Sequence, residues 1–241
     1  MYGDKDYIGE ARYVARLIRS AVPGVRSILE LGSGTGRHGR LLAAEGFVVY
    51  GIERSPDMVA LAKTISPPQV NLVGSFSCDQ GDARSVVLGR SFDAVIALFH
   101  VVSYQTTNED LRAMLSTAAH HLTPGGVFLF DVWHGPAVLA QRPEQRVKRV
   151  ADSHIEVIRM ARPEIDTDRN TVKVTYEIEC RNLNSGGVEC FVEDHFVRYL
   201  FPMEIEALAA QCGMHVLATE EFMTGRPPSP TTWSVAYLLR K

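Results

Sequence analysis

Apolar and polar positions alternate with two different periods along this chain. Residues Asp6–Ser20 carry apolar side chains at Ile8, Ala11, Val14, Ala15, Leu17 and Ile18. That is helical spacing, and Pro23-Gly24 ends it. Short apolar runs then recur at Ser27–Leu31, Val48–Ile52, near Asn71–Ser77, at Ser91–Leu98 and at Val127–Val132. Runs this short and this apolar read as strands buried on both faces of a parallel sheet. Helical segments separate them at about Arg37–Glu45, Met58–Thr64 and Asn108–Leu122. Gly46, Pro67-Pro68 and Pro124-Gly125-Gly126 punctuate the series. Ser55-Pro56-Asp57 reads as an N-cap, a first-turn proline and an acidic first turn.

From about Gln145 to Phe201 the period becomes two. Val172, Val174, Tyr176 and Ile178 alternate with Lys173, Thr175 and Glu177, and Val192 to Leu200 continues in that style. Asn184-Ser185-Gly186-Gly187 predicts a hairpin turn. This segment reads as three or four antiparallel strands. A helix over Pro202–Gly213 and strands over Met214–Glu220 and Thr232–Leu239 complete the pattern. The expected fold is α/β, a doubly wound, mostly parallel seven-stranded sheet with an inserted antiparallel β-sheet. Residues 1–144 and 202–241 would form the main domain and 145–201 the inserted subdomain. An antiparallel sheet with one apolar face must bury it, so the insertion is expected either to cover an acceptor or to form a homodimer interface.

The first strand, glycine turn, helix and second strand carry the chemistry. Ile28-Leu29-Glu30-Leu31 leads into Gly32, Gly34 and Gly36, and the next strand ends at Glu53. Glycines permit φ > 0 and a close backbone approach. The helix that follows points unpaired N–H groups at a ligand. An acid at the tip of the next strand accepts hydrogen bonds from a ribose. The unit therefore argues for an adenosine-containing small molecule.

With 46% hydrophobic and 22% charged residues among 241, the chain suits one soluble domain with an embellishment. A formal net charge of −3 lacks the basic footprint of a nucleic-acid binder. No apolar run approaches the ~20 residues of a membrane span, and the charged N-terminus lacks an apolar signal core. Cys78, Cys180, Cys190 and Cys212 show no C-x-x-C spacing, so free thiols in a cytoplasmic protein are expected and a metal site is not.

The E-x-G-x-G-x-G run Glu30–Gly36 resembles motif I of the class I S-adenosylmethionine (SAM) methyltransferases. The Leu122-Thr123-Pro124-Gly125-Gly126 turn, Gly81-Asp82 after the third strand and Asp131-Val132-Trp133 extend the likeness over nearly the whole chain. With Lys5-Asp6-Tyr7 and the antiparallel insertion, the nearest subgroup is the N-methyltransferases of nucleotide-linked aminosugars. The resemblance implies a Rossmann-like methyltransferase fold, SAM as cofactor and S-adenosylhomocysteine as product. Glu30 and the backbone of Gly32 and Gly34 would hold the methionine end of SAM. Glu53 would bind the ribose, Met58 would lie below the adenine, and Asp82 and the Ala83 N–H would meet the adenine edge. Phe99 would close over the methionine part, and Tyr7 would lie near the cofactor.

SAM carries an activated methyl, so the enzyme mainly aligns a nucleophile and excludes water. A hydroxyl acceptor often needs a base, whereas an amine needs only to lose its proton. Acceptor residues in this topology sit at the carboxyl ends of the fourth and fifth strands. That region supplies His100, Tyr104, Asp131, Trp133 and His134, of which His100, Tyr104 and His134 are the catalytic candidates. Trp133 either lines a ring pocket or packs. His38, after the glycine loop, either touches the cofactor or caps. His195 faces the acceptor if the insertion forms a lid. Tyr104 stands where the aminosugar subgroup tends to carry a histidine, and Tyr2 either stands in for an acceptor-site aromatic or is disordered. A nicotinamide-dependent oxidoreductase is the rival reading, disfavoured because Arg37 takes the place of the last glycine of G-x-G-x-x-G. A SAM-binding module without turnover is the third.

Overall fold

A computed structural model describes residues 5–65 and 74–241. The Pro67-Pro68 break, Tyr2 and the Asn71 end of the expected third strand lie outside the described residues. In chain order the elements begin with α1 (Tyr7–Ala21), β1 (Ser27–Leu31), α2 (Arg37–Ala44), β2 (Val48–Glu53), α3 (Pro56–Thr64), β3 (Ser75–Gln80) and β4 (Phe92–Ala97). A 3₁₀ turn at Val102–Tyr104 leads to α4 (Asn108–His121), β5 (Leu122–His134) and α5 (Gly135–Gln141). The antiparallel strands β6 (Arg146–Ala151), β7 (Ile155–Asp166), β8 (Thr171–Asn182) and β9 (Val188–Leu200) follow. The chain closes with α6 (Pro202–Gln211), β10 (His215–Glu221) and β11 (Ser234–Arg240).

The main sheet runs β3-β2-β1-β4-β5, with β11 antiparallel to β5 and β10 antiparallel to β11. Both faces are buried, and single strands show why. Leu29, Val95, Phe128 and Phe130 pack with Leu111, Met114 and Leu115 of α4 and with Ile205 and Leu208 of α6. Their sequence neighbours Ile28, Ala94, Ile96, Val127 and Leu129 pack on the opposite side with Val14 and Ile18 of α1 and Leu42 of α2. Successive side chains of a strand point to opposite faces, so a continuous apolar run fills two layers at once. This is a Rossmann-like, doubly wound sheet of seven strands, as the sequence pattern predicts.

Two local features differ from the expected elements. β5 begins five residues before Val127: Leu122 pairs with Phe92, and the register shifts before Ala94 meets Val127. That bulge takes up Pro124-Gly125-Gly126, with Gly125 at φ 79°. Helix α5 was not legible in the apolar pattern; Pro136 near its start presets the first turn.

The insertion resolves into four strands in the order β9-β8-β7-β6. It joins the main sheet where Tyr199 and Leu200 pair with Trp133 and His134, beyond the end of β4. Its registers set two faces. Lys148, Arg159, Ile178 and Phe191 stand in one row across it, as do Arg146, Ala161, Tyr176 and Glu193. Val147, Met160, Glu177 and Val192 share the opposite face. No helix among the described residues is long and apolar enough to cross a membrane.

Candidate active site

The glycine loop joins β1 to α2 with Gly32, Gly34 and Gly36 at φ 73°, 54° and 75°. The Gly32 and Ser33 N–H groups donate to the Ile52 carbonyl at 2.8 and 3.1 Å, which stitches the loop to β2. A Cβ on Gly32 would stand 2.7 Å from the Val101 side chain, so the loop abuts the segment that follows β4. Gly34 is roomier, its nearest would-be neighbour being Met58 Sδ at an ordinary contact distance of 3.9 Å. Met58 is half-exposed above this gap rather than in the core.

Glu53 sits at the tip of β2. Its Oε2 accepts from the Gly34 N–H at 2.8 Å and its Oε1 from the Ser55 N–H at 2.8 Å. A carboxylate has about four acceptor sites, so two remain for the vicinal hydroxyls of a ribose.

Glu30 is buried beneath the loop, and its Oε2 has no hydrogen-bond partner. Burial pushes its carboxyl up to about 8, and Glu53 adds to the rise; the Gly39 backbone and Arg40 offset only part of it. An orphaned, buried acid at the floor of a glycine loop fits the cationic ammonium of a methionine moiety. The residues present therefore suit SAM. Beside it, His38 Nε2 stands 2.7 Å from Glu10 Oε2, and Lys5 Nζ lies 2.9 Å from the same oxygen. Tyr7 packs on His38 at 5.1 Å between ring centroids, with the Arg37 guanidinium 4.3 Å from its ring. The start of α1 is thereby fixed over the first turn of α2, with Tyr7 and Lys5 at the loop.

At the adenine end, Asp82 binds Arg84 through both oxygens, Oδ1 to Nε at 2.9 Å and Oδ2 to Nη2 at 2.6 Å. Arg84 bonding holds the Asp82 carboxyl down to about 2. Arg84 in turn reaches Asp110 at 2.7 Å. Asp82 is thus braced by a cation that the sequence reading did not include. Ala83 is half-buried against the core.

The acceptor end forms at the tips of β4 and β5. Phe99 and His100 both have left-handed backbone, φ 65° and 63°. Non-glycine residues pay for that conformation, so neighbouring contacts must hold it. Here the His100 N–H donates to Asp131 Oδ1 at 3.2 Å, and His100 Nδ1 lies 2.7 Å from Asp131 Oδ2. Burial raises the Asp131 carboxyl, but His100 outweighs it and the net position is below the ordinary value. Asp131 is buried while His100 is about a quarter exposed. The Nδ1 approach to Asp131 is a close charge pair that lacks hydrogen-bond alignment. Phe99 is exposed, with Lys5 Nζ 3.7 Å from its ring centroid.

Trp133 meets His100 edge-on at 6.4 Å and Trp233 at 5.8 Å. Tyr104 Oη lies 3.0 Å from His195 Nδ1, across 91 residues of sequence. His195 Nε2 is 3.4 Å from Glu193, and its ring packs edge-on to Tyr176 at 5.0 Å. His134 is different: it is buried, its Nδ1 is 3.2 Å from the Thr232 carbonyl, and burial lowers its pKa. Burial and the carbonyl contact set this ring apart from the open turn at His100. The structure brings His100, Trp133, Tyr104 and His195 to one side of the sheet and leaves His134 beneath it. The partner that sequence reasoning did not assign is Asp131; the one available signal was an acid closing an otherwise apolar strand.

A family described as a methyltransferase domain matches residues 28–126. A dTDP-3-amino-3,4,6-trideoxy-alpha-D-glucopyranose N,N-dimethyltransferase of Streptomyces venezuelae is 32% identical over 233 residues, covering 92% of this chain and 88% of the relative. A dTDP-4-amino-2,3,4,6-tetradeoxy-D-glucose N,N-dimethyltransferase of Saccharopolyspora spinosa is 27% identical over 232 residues, covering 92% and 83%. Among solved structures, a SAM-bound amino pentose methyltransferase from Micromonospora echinaspora superposes with a TM-score of 0.77 at 26% identity, covering 98% of this chain and 92% of that one.

Proposed function

This chain belongs to the SAM-dependent methyltransferases, and on that premise we propose that it methylates the amino group of a nucleotide-linked deoxysugar. The full-length likeness to dTDP-aminosugar dimethyltransferases supports the acceptor class. The observation that carries the chemistry is the His100–Asp131 pair at the tips of β4 and β5, next to Trp133.

When bound, SAM supplies a methyl group activated on a sulfonium. The chain's residues do the rest. Glu30 receives the ammonium, Gly32 and Gly34 admit the methionine portion closely, and Glu53 takes the ribose hydroxyls. Tyr7 and Phe99 cover the methionine portion, while Met58, Asp82 and Ala83 border the adenine. Asp131 fixes the His100 ring so that Nε2 faces the acceptor and takes the proton the attacking nitrogen gives up. Trp133 offers a flat wall to a sugar ring, and Tyr104 with His195 orients its hydroxyls. His134 has no part in turnover. The same base favours a second reading, a hydroxyl acceptor, because a hydroxyl needs deprotonation more than an amine does.

Mass spectrometry of products from dTDP-linked aminosugars and their hydroxyl analogues tests both readings. N-methyl product from the aminosugars supports the first. Product from the hydroxyl analogues alone replaces it with the second. Absence of product from both, with S-adenosylhomocysteine still bound, returns the chain to the non-catalytic reading.

Residues 145–201 act in this reading as a subdomain that covers the acceptor. The exposed Val147 and Val192 on its outward face support a homodimer, for which sedimentation of the full chain beside a Val192→Lys variant is the test. A net charge of −3 supports a small acceptor over nucleic acid, and four cysteines without a disulfide support a cytoplasmic site of action.

A further inference from the structure

Lys5, just ahead of α1, brings an ammonium to the glycine loop. Its side chain is only 17% exposed, and Nζ stands 2.9 Å from Glu10 Oε2. The same Nζ lies 3.7 Å from the centroid of the Phe99 ring and 4.8 Å from that of Tyr7. One cation is therefore held against both rings that cover the methionine portion in the reading above. Aromatic faces attract cations, and more strongly where water is excluded.

This ammonium already has its anion and is fixed by it. Glu10 is buried and also meets His38 Nε2 at 2.7 Å, so the acid is anchored from α2 as well as from α1. The Lys5 charge is felt at the tip of β5 too. Burial raises the Asp131 carboxyl, and Lys5 adds to the effect of His100 in bringing it below its ordinary value. Lys5 thus links the start of α1, the turn after β4 and the rim of the glycine loop.

The two forms of the cofactor differ at one atom. SAM carries a sulfonium where S-adenosylhomocysteine carries a neutral thioether; carboxylate, ammonium, ribose and adenine are common to both. A fixed cation near that atom opposes the first form and is indifferent to the second. Occupation of the Phe99 face acts in the same direction, because it denies that face to the sulfonium. Pairing with Glu10 does not reverse the sign: removal of the ammonium leaves a carboxylate, which attracts a sulfonium. We propose that Lys5 sets the preference of the site between the two cofactor forms, weakening SAM relative to S-adenosylhomocysteine. Methyl transfer takes the positive charge off sulfur, so the opposition is relieved as the methyl leaves. The inference rests on the placement of Tyr7 and Phe99 over the methionine portion, and deepens it by assigning a residue that reads the charge on sulfur.

Calorimetric titration of the full chain with SAM and with S-adenosylhomocysteine, in the absence of acceptor, tests it. Lys5→Met is expected to tighten SAM by about tenfold and to leave S-adenosylhomocysteine unchanged, while Lys5→Arg keeps the original ratio. Unchanged S-adenosylhomocysteine affinity separates a lost charge from a lost fold. Equal weakening of both forms by Lys5→Met overturns the proposal, since Lys5 would then hold a part that the two share. A SAM affinity that falls or stays constant while S-adenosylhomocysteine is unaffected overturns it as well. Phe99→Ala distinguishes the two ways of failing. If it weakens both forms while Lys5→Met shifts neither, the ring placement stands and the role of Lys5 falls. If neither substitution changes any affinity, the placement and the proposal fall together.

Discussion

The cofactor half and the acceptor half of this site are built on opposite plans. The core of the cofactor half, Glu30, Gly32, Gly34, Glu53 and Met58, falls within 29 residues of sequence, on β1, the glycine loop, the tip of β2 and the first turn of α3. Their geometry is held by backbone groups: Ile52 binds the loop, and Glu53 binds Gly34 and Ser55. The acceptor half draws on the tips of β4 and β5, on β9 and on the segment before β11. Side chains hold it together, as in His100 with Asp131, Tyr104 with His195, and Trp133 with Trp233. A cofactor common to many enzymes can be met by one local unit. A particular acceptor is met by contacts that can change one residue at a time without disturbing the sheet.

If the halves are separable, substitutions should affect binding of one ligand and spare the other. The largest effect is expected at Glu53. Glu53→Ala would remove the two charge-assisted bonds proposed to the ribose and release Gly34, so calorimetry should show S-adenosylhomocysteine affinity falling roughly 10²- to 10³-fold. A loss under tenfold would mean that the backbone cradle alone carries recognition.

Next come His100→Ala and Asp131→Asn. Removing a general base or its orienting partner is expected to lower kcat by about 10²-fold, with S-adenosylhomocysteine affinity unchanged. If cofactor affinity falls in step with kcat, the left-handed turn at Phe99-His100 belongs to the cofactor half and the division fails.

The third test turns on Glu30, whose buried carboxyl is raised to about 8. Below that pH the unliganded protein holds a proton there, and a bound ammonium favours its release. Affinity should therefore rise about tenfold from pH 6 to pH 7 and level off above pH 8, with a binding heat that depends on the buffer. Folding carries the matching sign. A raised carboxyl keeps a proton that the unfolded chain has lost, so the Glu30 contribution is greatest at acid pH and declines as pH rises toward 8. Glu30→Gln should flatten both dependences; a slope that survives the substitution assigns the proton elsewhere.

The smallest effect sharpens the comparison most. Tyr104→Phe removes only the hydroxyl that contacts His195 Nδ1. Acceptor KM is expected to rise by up to about tenfold, with kcat and cofactor affinity held. An equal fall in kcat would place Tyr104 in proton transfer rather than in positioning.

The chain's local order determined the core of the cofactor half, whereas Tyr7, Asp82 and Phe99 reach it from other elements. Spacing of Gly32, Gly34 and Gly36 between two apolar runs, and Glu53 at the end of the second, is a pattern of near neighbours. The physical causes are local as well: left-handed glycines, a helix N-terminus and a strand tip. The period change near Gln145 likewise revealed the insertion, because strand periodicity is intrinsic to the backbone. Tertiary structure alone decided which face of that sheet turns inward, since one residue of register inverts every side chain. It also decided the histidines. His100 and His134 read alike in sequence, yet one shares Asp131 at an open turn and the other is sealed against Thr232. Burial and a partner 31 residues away separate them, and long-range packing sets both.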